Sequence, residues 1–379
     1  MDIEFSLSLT SENSHDIKIM AGQGSFSIGT IGISQGDYDA WVDVNDKINW
    51  HSFDKLNFSK FYKWPRSIEY SGSDTGFVEW SYNRKIEKFY WIPQSDVHLD
   101  MTKANIRYFY LDNKNFEIEL SLGNLYQLTL LGKLNKIKIK DCLSVFDLTV
   151  DLAKTEIEDE CYRLPIYKKL KDITSVRIFN KPLNKPFDCR SLLQFPNLKE
   201  VSLVGNITNL NVLKNLTKIE FLGLWDVPDL EGLPDLKNWE NLYDVIGSNI
   251  EKRGGQILRR QLKELQKEKK MDEFCYVGQL RDKNWYVTEY NIPFYNWEKH
   301  QRKAIKIYKE YLGKLKSLDD EETILKEITN FIKFFNSLSD IETIEREDVF
   351  TAIKQLIDST KLVISQDKII DLFDNVRDF

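Results

Sequence analysis

One short phrase, written three times between Leu198 and Gly247, constrains this chain more than any other feature. Leu198-Lys-Glu-Val201-Ser-Leu203-Val-Gly205 is followed by Leu216-Thr-Lys-Ile219-Glu-Phe221-Leu-Gly223. A looser copy, Trp239-Glu-Asn-Leu242-Tyr-Asp-Val245-Ile-Gly247, comes next. Alternation of period two marks a strand with Val201 and Leu203 on one face and Ser202 on the other. A unit this short cannot bury its apolar face alone, so the phrase predicts strands that hide their leucines only by stacking on the next unit.

Related phrases lie upstream. Leu125-Tyr-Gln-Leu128-Thr-Leu130, Leu134-Asn-Lys-Ile137-Lys-Ile139-Lys-Asp-Cys142 and Ile173-Thr-Ser-Val176-Arg-Ile178-Phe-Asn180 carry the same apolar spacing. The runs between 105 and 152 follow one another at nearly ten-residue intervals. Stacked units of roughly 20–29 residues would not be so close, so antiparallel hairpins feeding the repeat sheet are expected there. Residues 1–104 read as a separate antiparallel β module. Ile3-x-Phe5-x-Leu7 alternates, Ile17-x-Ile19 and Phe26-x-Ile28 do so briefly, and Phe77-Val-Glu-Trp80-Ser-Tyr82 is read as another strand. Glycines at 22, 24, 29, 32 and 36 punctuate the runs. Trp41, Trp50, Trp64, Trp80 and Trp91 crowd this region, either as core rings or as a recognition surface.

After Gly247 the period becomes 3.6. Apolar stripes at Ile257, Leu258, Leu262 and Leu265, then from Ile307 to Leu315, from Ile324 to Phe335, from Val349 to Ile357 and from Ile369 to Phe373 predict one-sided helices. Acids at 319–322 suit a helix N-terminus, and Ser365 suits a cap. The expected fold class is α+β: an aromatic-rich β module (1–104), a repeat-like β region (105–250) and a helical C-terminal domain (251–379) that also closes the end of the repeat sheet.

Catalytic patterns are missing. Gly22-Gln-Gly24 lacks the third glycine and the following helix of a nucleotide loop, and no G-x-S-x-G or H-E-x-x-H occurs. The histidines at 15, 51, 98 and 300 are too scattered for a metal site, so no metal or cofactor is expected. Asp226 and Asp229 form an acid pair whose simpler reading is turn and capping acids. Cys142, Cys161, Cys189 and Cys275 show no C-x-x-C spacing, which fits reduced thiols. The N-terminus carries acids rather than a basic, then apolar, leader, and no apolar run reaches membrane-spanning length. A cytoplasmic protein is the expectation. Net charge is −6, which disfavours nucleic acid as the partner of the whole molecule. Residues 251–270 and 296–316 are locally basic, however, and keep open the alternative of an enzyme or nucleic-acid-processing factor that uses those helices.

The repeat strands offer another surface. Aligning the phrases as written puts Arg177, Ser202, Glu220 and Tyr243 at equivalent outward positions, with Trp225 and Asp226 at the rim. A ladder of mixed chemistry on a rigid sheet suits protein recognition, where aromatic and arginine anchors dominate.

The phrases at 134–142 and 198–206 match L-x-x-L-x-L-x-x-N/C, and the chain there resembles leucine-rich-repeat proteins. The resemblance covers about a third of the chain and implies a non-catalytic binding role through one strand face. Repeats flanked by an unrelated β module and a helical module look like a bacterial immunity (antitoxin) protein, whose partner would be a toxin or effector.

Overall fold

The computed structural model describes residues 3–12, 14–19, 23–56, 64–153, 155, 159–290, 292–297, 299–341, 343–360, 362 and 364–378. Gly22 lies outside them, as do the side chains of Ile3, Phe5 and Ile19. The chain is mixed α/β and divides into two compact units, Met1–Lys283 and Asn284–Phe379.

In the first unit, β1 (Ile3–Leu7) and β2 (His15–Ile19) form an antiparallel pair. The strands that follow are β3 (Ser25–Thr30), β4 (Ala40–Val42), β5 (Ser67–Ser71), β6 (Ile86–Ile92), β7 (Val97–Met101), β8 (Ile106–Asn113), β9 (Ile118–Gly132), β10 (Ile137–Asp151) and β11 (Ser175–Phe179). Beyond them lie β12 (Phe187–Asp188), β13 (Glu200–Val204), β14 (Ile207–Thr208), β15 (Phe221–Trp225), β16 (Asp244–Ser248) and β17 (Tyr276–Val277). All but β1, β2, β12 and β14 belong to one sheet of 13 strands, ordered β17-β16-β15-β13-β11-β10-β9-β8-β6-β5-β3-β4, with β7 beside β9. Its pairings are parallel throughout.

The antiparallel module expected over 1–104 is therefore confined to β1 and β2. From Ser25 onward the N-terminal region builds the same parallel sheet as the middle, and residues on both sides of position 104 share one unit. The run Phe77–Ser81 is a short helix, α1, rather than a strand. Trp50, Trp64, Trp80 and Trp91 are core rings, whereas Trp41 is exposed.

The expected hairpins between 105 and 152 are also replaced by parallel pairs. The close spacing has a simple cause. β9 and β10 are 15 residues long, and each serves two faces of its coil. Their first halves pair with each other, and that of β9 also pairs with β7, Ile118 facing both Val97 and Ile137. Their second halves join β8 and β11 in the main sheet. Ile118-x-Leu120-x-Leu122 and Leu125-x-x-Leu128-x-Leu130 are thus two segments of one strand.

Register reveals the unit that the sequence repeats. An apolar residue, a second three places on and a third two further recur as Ile86/Phe89/Trp91, Ile106/Phe109/Leu111, Leu125/Leu128/Leu130, Val145/Leu148/Val150, Ile173/Val176/Ile178, Leu198/Val201/Leu203 and Ile219/Leu222/Leu224, all at most 3% exposed. Leu242/Val245 ends the series with Gly247 in the third place. Successive units begin 19 to 28 residues apart. Each apolar set stacks on the next in a continuous core, the arrangement by which short coils gain stability from their neighbours. Asn180 and Asn206 follow their strands and donate into the turns. Asn180 Nδ2 reaches the carbonyls of Lys185 (3.0 Å) and Asn206 (2.9 Å), and Asn206 Nδ2 that of Asn184 (2.7 Å).

Helix α2 (Lys252–Glu268) belongs to this unit and buries Leu258, Leu262 and Leu265 in its core. Glu251 caps it by accepting from the amides of Arg253 and Gly254. Helix α3 (Lys283–Thr288) starts at the unit boundary. The second unit holds α4 (Gln301–Leu315), α5 (Glu321–Asn336), α6 (Thr343–Asp358) and α7 (Gln366–Val376) around a core that includes Phe294, Trp297, Ile328, Phe331, Phe335, Ile353 and Leu356. The helical region expected over 251–379 thus divides, with α2 completing the sheet unit and α4–α7 forming a core of their own.

Candidate functional site

Residues that alternate with the buried apolar triplets form the open face of the sheet. Three parallel rows cross it. Asp147, Ser175, Glu200, Phe221 and Asp244 are successive partners in the first row, and Thr149, Arg177, Ser202, Gly223 and Ile246 in the second. Asp151, Phe179, Val204, Trp225 and Ser248 make the third.

The expected ladder of Arg177, Ser202, Glu220 and Tyr243 is therefore two rows. Arg177 and Ser202 do face each other across β11 and β13, but the next partners are Gly223 and Ile246. Glu220 and Tyr243 lie three residues earlier, level with Lys199. The Glu220 amide donates to the Lys199 carbonyl (2.7 Å), and the Tyr243 amide to that of Glu220 (2.9 Å). Ser202 is also less available than expected, at 7% exposed, and sits on the floor of a groove. The slip has a physical origin. Leu216, Ile219 and Leu222 are themselves spaced by three and are all buried, so the sequence offers two alignments of L-x-x-L-x-L, and only stacking selects between them.

Five of the six expected residues nonetheless meet in one groove of about 690 Å³, within the range of small-ligand sites. Arg177, Ser202, Trp225, Asp226 and Tyr243 line it. Glu220 does not; it is paired with Lys199 Nζ at 2.8 Å on the rim. Phe179, Glu200, Val204, Phe221 and Asp244 complete the lining. Phe179, Glu200 and Val204 stand two places from Arg177 or Ser202, and Phe221 and Asp244 two places from Gly223 and Ile246, so period two marks them only once the register of β15 and β16 is right.

Gly223 makes the groove aromatic. A Cβ on Gly223 would lie 2.1 Å from the outer ring carbons of Trp225, so the indole rests across the glycine. There it meets Phe221 at 6.3 Å between ring centres and 35° between planes. Arg177 reaches back to Asp147 (3.9 Å). Cys275 Sγ donates to Asp244 at 3.5 Å. The lining carries three carboxylates, Glu200, Asp226 and Asp244, against one guanidinium.

The acids feel their surroundings. Burial raises the Asp244 carboxyl pKa against the Cys275 hydrogen bond, and Asp272 adds to the rise. Burial also raises Asp226, opposed by the Asn249 side chain and the charge of Arg281. Asp226 turns the chain at φ 56°, a left-handed conformation that aspartate tolerates. The Tyr243 hydroxyl is raised by burial and then by Glu200, Asp244, Glu220 and Asp272. Asp229 lies elsewhere: it accepts from the Glu231 amide (2.8 Å) and pairs with Lys283 (3.5 Å), as a turn acid does.

The two basic stretches fall in different units, α2 in the first and α4 in the second. Part of their charge is engaged locally. Arg259 donates to the Val277 carbonyl (2.9 Å) and Lys269 to that of Glu240 (2.8 Å). Lys309 pairs with Glu289 (3.7 Å) and Lys314 with Glu327 (2.7 Å). Among the described residues, no three His, Cys, Asp or Glu side chains gather as a metal site requires, and no helix is long and apolar enough to cross a membrane. Compared with protein-family models, curated protein sequences and solved structures, the chain matches none.

Proposed function

We propose that this chain is a non-catalytic protein-binding scaffold of the leucine-rich-repeat kind, which acts in the cytoplasm as an immunity (antitoxin) protein and neutralises a partner toxin or effector by covering it. One observation carries this reading. An aromatic groove lies open on a sheet whose backbone is fixed by parallel pairing on both sides, so anchor residues are presented with little ordering left to pay on association. Trp225 and Tyr243 belong to the residue types that concentrate binding energy at interfaces, and Phe221 and Phe179 to the aromatic residues enriched there. The four cysteines are free thiols, as in proteins of reducing compartments.

The test is a capture experiment with the product of the adjacent gene, using the wild type and a Trp225→Ala/Tyr243→Ala double variant. Neither side chain is fully buried, so the double variant is expected to fold and to lose capture by at least about 2 kcal/mol, the scale of an interface hot spot. Undiminished capture by the folded variant would remove the groove from the proposal.

A further inference from the structure

We infer that the groove between β11 and β16 is a receptor for a basic side chain, arginine above all, protruding from the partner protein, its charge taken by Glu200 and Asp244 and its planar group by Trp225 and Phe221. The inference rests on the protein-binding reading and names the partner's chemistry.

Charge complementarity is the first argument. Three carboxylates line the groove, and its single cation, Arg177, is turned toward Asp147. Among the described residues neither Glu200 nor Asp244 has a lysine or arginine within ion-pair distance. On the nearby rim the opposite holds, since Glu220 is already matched by Lys199. Arg281 acts on Asp226 and Lys199 feels Glu200, yet the lining itself keeps three carboxylates against one guanidinium, a net negative charge in a concave place, where fields act most strongly. Asp272, just outside, adds to the same field at Tyr243.

Shape is the second argument. Trp225 brings the outer carbons of its indole down against Gly223, beside the Phe221 ring at 6.3 Å, so two rings stand together next to the acids. A cation over an indole face is attracted by the ring quadrupole. A guanidinium can also donate in parallel to a carboxylate, which a point charge cannot do. Glu200 and Asp244 stand in the same row, on either side of Phe221, so the acids and the aromatic platform face one guest. A neutral apolar guest would leave the acids stripped of water and unpaired, which is unfavourable.

The experiment titrates the full chain with a fluorescein-labelled pentapeptide carrying two arginines, and with its citrulline twin, identical in shape but uncharged. Wild type is expected to bind the arginine peptide at least about tenfold more tightly than the twin. Glu200→Gln/Asp244→Asn abolishes that preference, while the remote pair Asp229→Asn/Glu231→Gln preserves it. Equal affinity for the two peptides overturns the inference, and that comparison needs only the wild type. Equal loss in the remote variant also overturns it, because general acidity would then explain the binding. A citrulline peptide held as tightly, and lost in Trp225→Leu, refutes the cation receptor yet leaves the scaffold standing. Trp225-dependent binding of a neutral oligosaccharide such as cellohexaose, with neither peptide retained, refutes both.

Discussion

Gly223 is the position where the sheet and its open face can be pulled apart experimentally. Gly223→Ala would place a methyl 2.1 Å from the far ring of Trp225 and 3.0 Å from the Phe221 ring. The nearer obstacle is a side chain that can swing outward, so the strand can stay paired while the indole leaves the sheet. Losing the aromatic contact costs about 0.5–1.5 kcal/mol. Re-exposing on the order of 50 Å² of indole adds about 1 kcal/mol. Against this, replacing a strand glycine gains about 0.5–1 kcal/mol of unfolded-state entropy. The net expectation is a destabilisation of about 1 kcal/mol in the wild type. In a Trp225→Ala background the nearer obstacle is gone and only the Phe221 ring at 3.0 Å has to give slightly, so the same substitution should stabilise by about 0.5 kcal/mol. The four proteins of this cycle are unfolded in urea and their midpoints compared. A coupling of about 1–2 kcal/mol with a change of sign is expected. Equal effects of Gly223→Ala in the two backgrounds would show that the indole does not rest on the glycine, and the aromatic platform would be lost as an idea.

Gly205 predicts the contrary behaviour. Its φ is +83°, and a Cβ would lie 2.0 Å from the Asn180 carbonyl oxygen, a backbone atom that cannot step aside. Gly205→Ala should cost about 3 kcal/mol, combining left-handed strain with displacement of the neighbouring coil, and a midpoint shift below about 1 kcal/mol would contradict it. Asp188 supplies a pH dependence. Burial acts to raise its carboxyl pKa but is outweighed by Arg190 through side chain and amide, with Asn209 and Arg163, which bring it down to about 2. Because the folded value lies below the unfolded one, this stabilisation is complete above about pH 5 and is lost as pH falls toward 2, about 2 kcal/mol in all. The stability difference between wild type and Asp188→Asn should shrink over that window, and a difference independent of pH would refute the assignment.

What could be read in the sequence follows from what is local. Strand alternation at Val201-x-Leu203 and Val176-x-Ile178 is a property of a few neighbouring residues, and these strands stand where the phrase puts them. The helical stripes were legible for the same reason. Strand direction is not local. Whether Leu128 pairs with a parallel or an antiparallel neighbour depends on a corner within β9 that its residues do not announce. The earliest units were disguised by aromatic residues: Ile86-x-x-Phe89-x-Trp91 carries the same spacing as Leu198-x-x-Val201-x-Leu203, yet reads as a different texture. In the groove, Trp225 and Tyr243 were recognisable as anchors. Glu200 and Asp244 were not, because their importance comes from facing Phe221 in adjacent strands.

Strand order also sets a distance. Trp41 on β4, exposed, and Trp225 on β15, half-buried, lie toward opposite ends of the main sheet. Nine strand-to-strand steps part them, roughly 43 Å at about 4.8 Å a step. A partner of ordinary footprint, roughly 30 Å across, therefore reaches one end or the other. Only an elongated guest touches both, and inserting or deleting one coil would lengthen or shorten that ruler by a single step while leaving each end's chemistry as it was.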